Sequence, residues 1–492
     1  MKKFLIFAFA LALTIFSAAP IGASDVDLEY TVTIQKPENH VAHVRLIISD
    51  IDNDVDFIHL SITKPSDYNQ KYVENLIVTS AVGSVHSDLR LEGYKWICEI
   101  ATGGENTVTV EYDVSQLIPA RGVGDKYISY IGSEFAVIDT SYLFLIPDYL
   151  PTSTIRVDFE LPSGWRSATI WDEVDGVHEV DWKGTLKRYI ALGPFIKDEA
   201  TVNNVRIIVA RHQATSSPVT IEKELEGLGK LTGFYTKAFG FVPTDRTLWI
   251  TAPTPMYYGK IRNNTFIRLT TPSLRYFWRT WAHEYCHLWN GGVVFFDDSA
   301  NWFGEGATNF FSDMALLDTG LLQKSELRIF DAWASYKNLK ALGEDEAVAG
   351  TDSSEIIYKK GELVTYLLSK RIAEVTNGEK SIYDVAKYLF QNCRGRKLDS
   401  GDLLEVMNQV TNRDFTGFFS DYVYGTEALS LDELDKYEVV MPELVKVPPE
   451  GINMILVIVV ITISCGILIC AIVFARRRVR EEEIALTVPH EF

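Results

Sequence analysis

The stretch His283-Glu284-Tyr285-Cys286-His287 constrains this chain more than any other. It reads H-E-x-x-H and lies in a segment patterned as a helix. Two histidines four residues apart project from one helix face, one turn above the other. At that spacing two imidazole nitrogens can grip one zinc ion, with the carboxylate of Glu284 beside them to handle a proton. Thr271-Pro272 offers a helix start, with Thr as N-cap and Pro at the first helical position, and Gly291-Gly292 a stop. Between them Leu274, Phe277, Trp278, Trp281, Tyr285 and Leu288 recur at steps of three and four, an apolar stripe that calls for burial. His283 and His287 run beside that stripe, and Cys286 faces away from them into the core. The competing reading of the same residues is two histidines satisfied inside a core helix, with Glu284 on a solvated face.

A catalytic zinc takes three protein ligands and keeps one position open. The run Ala300 to Leu317 reads as a second helix, preceded by Asp297-Asp298-Ser299 as capping residues. Its one early acid is Glu305, set among Trp302, Phe303, Gly304 and Gly306. A carboxylate among aromatics is costly to bury without a cation, and seventeen residues separate it from His287.

A zinc helix followed by W-x-x-E-G resembles the gluzincin metallopeptidases. HEYCHLWN and FGEGATNFF are most similar to the glycyl-aminopeptidase family, and more distantly to the aminopeptidase N family. Tyr358-Lys359-Lys360-Gly361-Glu362-Leu363 resembles a Y-x-K-G helix of both families. Tyr422-Val423-Tyr424-Gly425-Thr426-Glu427, with Leu429, resembles a segment closing the first family's catalytic region, and Tyr142 to Pro147 resembles its β-domain. The resemblance covers roughly residues 130 to 440. It implies a peptidase in which His283, His287 and Glu305 hold one Zn2+ and Glu284 is the general base. Tyr358 would donate to the developing oxyanion. Asn309, one turn after Glu305, and Asp313, two turns after it, are candidates to orient a ligand from behind.

The chain departs from that pattern at one place. The family holds a substrate's α-ammonium with a glutamate before the zinc helix, where this chain has Gly259-Lys260-Ile261-Arg262-Asn263. One alignment puts Lys260 in the acid's place and the other Arg262. Either cation repels an ammonium. The expectation is a peptidase that does not select free N-termini, cleaving internally or favouring acidic substrates, unless another acid such as Glu134 supplies the anchor. The next run, Thr265 to Leu269, reads as the edge strand that pairs with an extended substrate.

Both ends carry membrane signals. Met1-Lys2-Lys3, the apolar run Phe4 to Phe16 and Ile21-Gly22-Ala23 read as a secretory signal peptide over residues 1–23. Residues 452–475 are long and apolar enough to span a bilayer as one helix, and Arg476-Arg477-Arg478-Val479-Arg480 places the tail, 476–492, in the cytoplasm. The expectation is a cell-membrane protein with its body outside the cytoplasm, joined to the span by a short linker, 446–451. Cys465 and Cys470 sit in that span. Cys98, Cys286 and Cys393 remain, which implies no disulfide framework, with a Cys98–Cys393 pair left open. A formal net charge of −19 excludes nucleic acid as a partner. The partners expected are a peptide or protein substrate and the membrane, with oligomeric state left open.

Residues 24–200 alternate apolar and polar residues in short runs divided by Gly, Pro, Asp and Asn, the pattern of an antiparallel β-sandwich. Val205 to Ala210 can belong to either side of the boundary. Residues 201–445 read as a thermolysin-like catalytic domain, mixed to about residue 320 and helical after it. The fold class is therefore α+β. A catalytically silent peptide-binding receptor on the same scaffold is the rival function, although a binding module does not need zinc ligands, Glu284 and Tyr358 together.

Overall fold

The computed structural model describes residues 25–442, apart from 66–70, 81–82, 118–128, 182, 254–258, 270 and 272. The expected signal peptide, linker, span and tail lie outside the described residues. No helix among the described residues is long and apolar enough to cross a membrane.

The architecture is mixed α+β, with an N-terminal sheet domain and a helical C-terminal half. An eight-stranded sheet runs in the order Asp172–Val174, Val177–Val180, Thr152–Glu160, Val26–Thr33, Val41–Ser49, Val108–Ser115, Val73–Ser80, Gly83–His86. Period-two patterning builds it: in Val26–Thr33 the buried residues are Val26, Leu28, Tyr30 and Val32. The pairing is not wholly antiparallel, because Val26–Thr33 runs parallel to Thr152–Glu160. That contact joins strands 127 residues apart, beyond the reach of local alternation. Two four-stranded sheets complete the domain, one of them containing Ala136–Asp139. The Tyr30 and Tyr112 hydroxyls donate to the Leu145 and Leu143 carbonyls, which seats the Leu143–Leu145 stretch in the apolar core without stranding either phenol.

The C-terminal half is organised by a second, five-stranded sheet in the order Phe195–Val202, Val205–His212, Arg246–Ala252, Thr265–Leu269, Gly259–Arg262. The sheet claims Val205–His212 outright and begins at Phe195, before residue 200. Its three central strands are parallel. Helix α1 (Ile221–Phe239) lies in the connection from Val205–His212 to Arg246–Ala252, helix α2 (Leu274–Cys286) follows Thr265–Leu269, and both pack on one face. The other face, through Ile208, Ala210, Leu248, Ile250, Ala252 and Ile267, closes the core of the N-terminal domain.

Two local expectations need correction. Helix α2 starts at Leu274 with Ser273 as N-cap, its hydroxyl accepting from the Tyr276 amide, rather than at Thr271-Pro272. Thr265–Leu269 is an interior strand; the edge is Gly259–Arg262, folded back antiparallel through a two-residue turn at Asn263-Asn264 with Asn263 at φ 55°. Asparagine tolerates that left-handed conformation, and Asn-Asn between two short runs was the hairpin signal.

After the sheet come helices α3 (Thr308–Asp318), α4 (Arg328–Leu342) and α5 (Gly361–Val375). The helix expected over 300–317 opens as a π-helical turn, Trp302–Ala307, before α3. A second π-helical turn, Ile356–Lys360, precedes α5. Cys98, Cys286 and Cys393 are free and buried, so the Cys98–Cys393 pair left open by the sequence does not form.

Candidate metal centre

Helix α2 is held by its apolar stripe: Phe277, Trp278, Trp281 and Tyr285 are buried against α1 and the sheet. That anchoring leaves His283 and His287 facing the turn that carries Glu305. The three offer one ligand atom each, all within 4.8 Å of one another. Their separations are tighter still. His283 Nε2 and His287 Nε2 lie 3.0 Å apart, and Glu305 Oε2 lies 3.3 Å from the first and 3.2 Å from the second.

The other ring nitrogens show what this cluster fits. His283 Nδ1 lies 2.9 Å from Asn309 Oδ1, and His287 Nδ1 lies 2.7 Å from the Asn290 carbonyl. Both partners accept, so both Nδ1 atoms donate and each neutral ring turns a bare Nε2 lone pair inward. Glu305 Oε2 is buried with no hydrogen-bond partner among the described residues. Three acceptors converging on one point without a donor fit a cation, and two imidazoles with one carboxylate fit zinc.

The electrostatics agree. Burial holds His283 down at about 4, in the neutral form a metal requires. Burial also lowers His287, but Glu305 outweighs it and raises the ring to about 9. Glu305 itself is penalised by burial, yet the two imidazoles hold it well below the usual carboxylate range.

The π-helical turns position the acid and the phenol. Glu305 lies in the first, Tyr358 in the second. The two turns touch backbone to backbone: a Cβ on Gly306 would sit 2.4 Å from the Gly361 carbonyl carbon, and one on Gly361 2.8 Å from the Trp302 carbonyl oxygen. Only glycine permits that approach. Tyr358, 37% exposed, stacks at 6.0 Å on the His283 ring. Burial and the Glu305 carboxylate push its phenol well above the ordinary tyrosine range, so it stays a proton donor. Asn309 joins the parts, since its Nδ2 donates to the Tyr358 carbonyl at 3.2 Å while its Oδ1 takes the His283 proton.

Glu284 is buried beside the triad. Burial raises its carboxyl to about 7, against a lowering by His287. A Cβ on Gly259 would sit 2.8 Å from Glu284 Oε1 and 2.5 Å from Thr280 Cγ2, so the edge strand reaches the carboxylate through a glycine. A cleft of about 770 Å³ opens there, lined among others by Lys260, Arg262, Phe295, Phe296, Asn301 and Tyr358.

The remaining sequence candidates fall in different places. Lys260 and Arg262 both line the cleft, but Arg262 is ion-paired to the buried Asp139 of the N-terminal domain at 2.6 and 2.9 Å. Burial lowers the Lys260 ammonium pKa, with Asp139 opposing. Glu134 is exposed and does not line the cleft. Asp313 is not behind a ligand: its Oδ2 accepts from the Ile329 amide at the start of α4, 2.9 Å away. Cys286 is buried, its thiol pushed far up by desolvation, as expected of a core residue. Sequence reasoning missed Asn290, which is fully buried and whose Nδ2 donates to the Phe303 and Gly304 carbonyls and to Thr308 Oγ1. It ties the end of the histidine helix to the Glu305 turn, and a lone Asn before Gly-Gly gave no periodic signal for that role. Asp139 was missed as well.

Residues 29–185 match the Peptidase M61 N-terminal domain. No curated protein matches the chain. Among solved structures, an aminopeptidase N family protein from Idiomarina loihiensis is similar at 17% identity and a TM-score of 0.65, over 83% of this chain and 78% of that one. An M1 zinc metallopeptidase from Deinococcus radiodurans is similar at 15% identity and a TM-score of 0.53, over 87% of this chain and 96% of that one. Those identities establish a shared fold. The chain therefore joins a region matching the Peptidase M61 N-terminal domain to a fold shared with M1 zinc metallopeptidases.

Proposed function

We infer that this protein is a zinc-dependent metallopeptidase. One observation carries the reading: His283, His287 and Glu305 offer one ligand atom each within 4.8 Å of one another, and Glu284 and Tyr358 line the same cleft. His283, His287 and Glu305 would hold the ion. Bound there, zinc supplies Lewis-acid polarisation of a peptide carbonyl and acidification of a water. Glu284 accepts the proton of the attacking water and passes it to the leaving nitrogen. The Tyr358 hydroxyl donates to the oxyanion as it develops.

The edge strand Gly259–Arg262 presents its free side to an extended peptide, and main-chain pairing gives affinity with little sequence preference. Among the described lining residues the carboxylates are Glu284 and Glu305, both committed to the chemistry. Arg262 is ion-paired to Asp139, and Lys260 lines the same cleft. A substrate α-ammonium finds no carboxylate of its own there, which favours internal cleavage or acidic peptides over free N-termini. The signal peptide, single span and basic tail read from the sequence would hold this body outside the cytoplasm at the cell membrane.

Glu284→Gln tests the reading: turnover of a peptide library should fall by at least about a thousandfold while zinc content is unchanged. Retained turnover, or no stoichiometric zinc in the parent protein, defeats it. Comparing N-blocked with free-amine peptides tests the specificity, and a strong preference for free amines would reverse that part alone.

A further inference from the structure

Arg268 is 1% exposed, and none of its three guanidinium nitrogens has a hydrogen-bond partner among the described residues. It is the next-to-last residue of an interior parallel strand. The sheet register sets it in a row with Thr251 and Arg211, each the next-to-last residue of its own strand. All three side chains face the helical side. Thr251 is 0% exposed and its hydroxyl is likewise without a partner. Arg211 donates to the Val219 carbonyl and to Glu224, but its Nε has no acceptor.

Charge and hydrogen bonding fall short together. Glu224 is the acid at this row, and it is already engaged by Arg211 and by Trp281 Nε1 at 2.7 Å. Two buried guanidinium groups therefore share one carboxylate. Arg268 is left lying over the faces of Phe277, at 4.0 Å, and Trp281, at 5.1 Å. Ring faces offset part of a buried charge but accept none of five N–H groups in a line of good geometry. A buried guanidinium with unmet donors costs several kcal/mol. The row also sits at the carboxyl ends of parallel strands, beside the first turns of α1 and α2, which contribute Glu224 and Phe277. Helix N-termini add positive potential there.

We propose that Arg268, with Thr251 and Arg211 Nε, forms an internal site for a small inorganic anion of the chloride class. Such an ion supplies one negative charge and accepts from several donors at once. It would act as a structural counter-ion for the sheet, and it stands or falls independently of peptidase activity.

The test uses the purified full chain. Crystals soaked in bromide should show an anomalous peak within hydrogen-bond reach of the Arg268 guanidinium. The melting temperature should rise with the logarithm of chloride concentration at constant ionic strength, with gluconate as the replacement. Arg268→Met should abolish that dependence, and Thr251→Val should weaken it. Absence of the bromide peak while surface positions fill overturns the proposal, even if neither variant folds. A melting temperature indifferent to chloride, or an equal chloride dependence in Arg268→Met, overturns it too.

Discussion

The five-stranded sheet has a different interior on each side. Towards the N-terminal domain its strands present Ile208, Ala210, Leu248, Ile250, Ala252 and Ile267 to a core of aliphatic and aromatic side chains. Towards the helices the alternate residues include Trp249 and Phe266, but also Arg211, Thr251 and Arg268, and the helical half buries Glu224, Arg279, Asp313, Lys360 and Glu362 as well. An apolar side needs only alternation to form. A charged side must place each ion against a partner, as Lys360 is placed 2.5 Å from Asp345, or lose several kcal/mol. The first side makes a support. The second can be made only one way, which is the condition for three ligand atoms to converge within a few ångströms.

Four substitutions would break or sharpen that contrast. His287→Ala should have the largest effect, removing bound zinc and essentially all turnover while leaving the N-terminal domain folded, as read by metal analysis and circular dichroism. Leu46→Ala, in the apolar core, should do the converse: about 2–5 kcal/mol of stability lost in denaturant titration, with zinc affinity unchanged if the two sides are independent. If zinc affinity falls with it, the division between support and site is wrong. Asn309→Ala frees the His283 ring and the Tyr358 carbonyl together, and zinc affinity by competitive chelation should fall about tenfold to a hundredfold.

The smallest effect concerns pH. His178 is buried in the N-terminal domain between the Ser167 and Thr169 hydroxyls, and burial lowers its pKa below 6.5. The unfolded ring therefore binds a proton at a higher pH than the folded one. Its stabilising contribution is present above about pH 6.5 and is lost as pH falls from there through the lower folded-state pKa. Melting curves of the parent and of His178→Gln, taken from about pH 8 to about pH 5, should converge at the acid end.

Much of the site was legible because its spacing is local. The four-residue step of His283 and His287, the W-x-x-E-G run and the alternation of Val26 to Val32 each lie within one element, where backbone period dictates facing. The glycines at 259, 306 and 361 were visible but mute, since nothing local says what will approach them. Thr265–Leu269 reads as an edge in sequence because a strand's neighbours are not written in its own composition. Asp313 followed helical spacing from Glu305 correctly in sequence, yet the capping of α4 claimed it.

By itself, the sequence determined that two imidazoles share a helix face, that an acid follows on the next helical element, and that the first part of the chain is sheet. Only the tertiary structure decided that Arg262 is neutralised by Asp139, 123 residues away, and that Asn290 and Asn309 orient the two rings. It alone left Arg268 with donors unmet. Hydrogen-bond geometry over a few residues is set by the backbone's own period, whereas pairing between distant residues is set by which strands the topology makes neighbours.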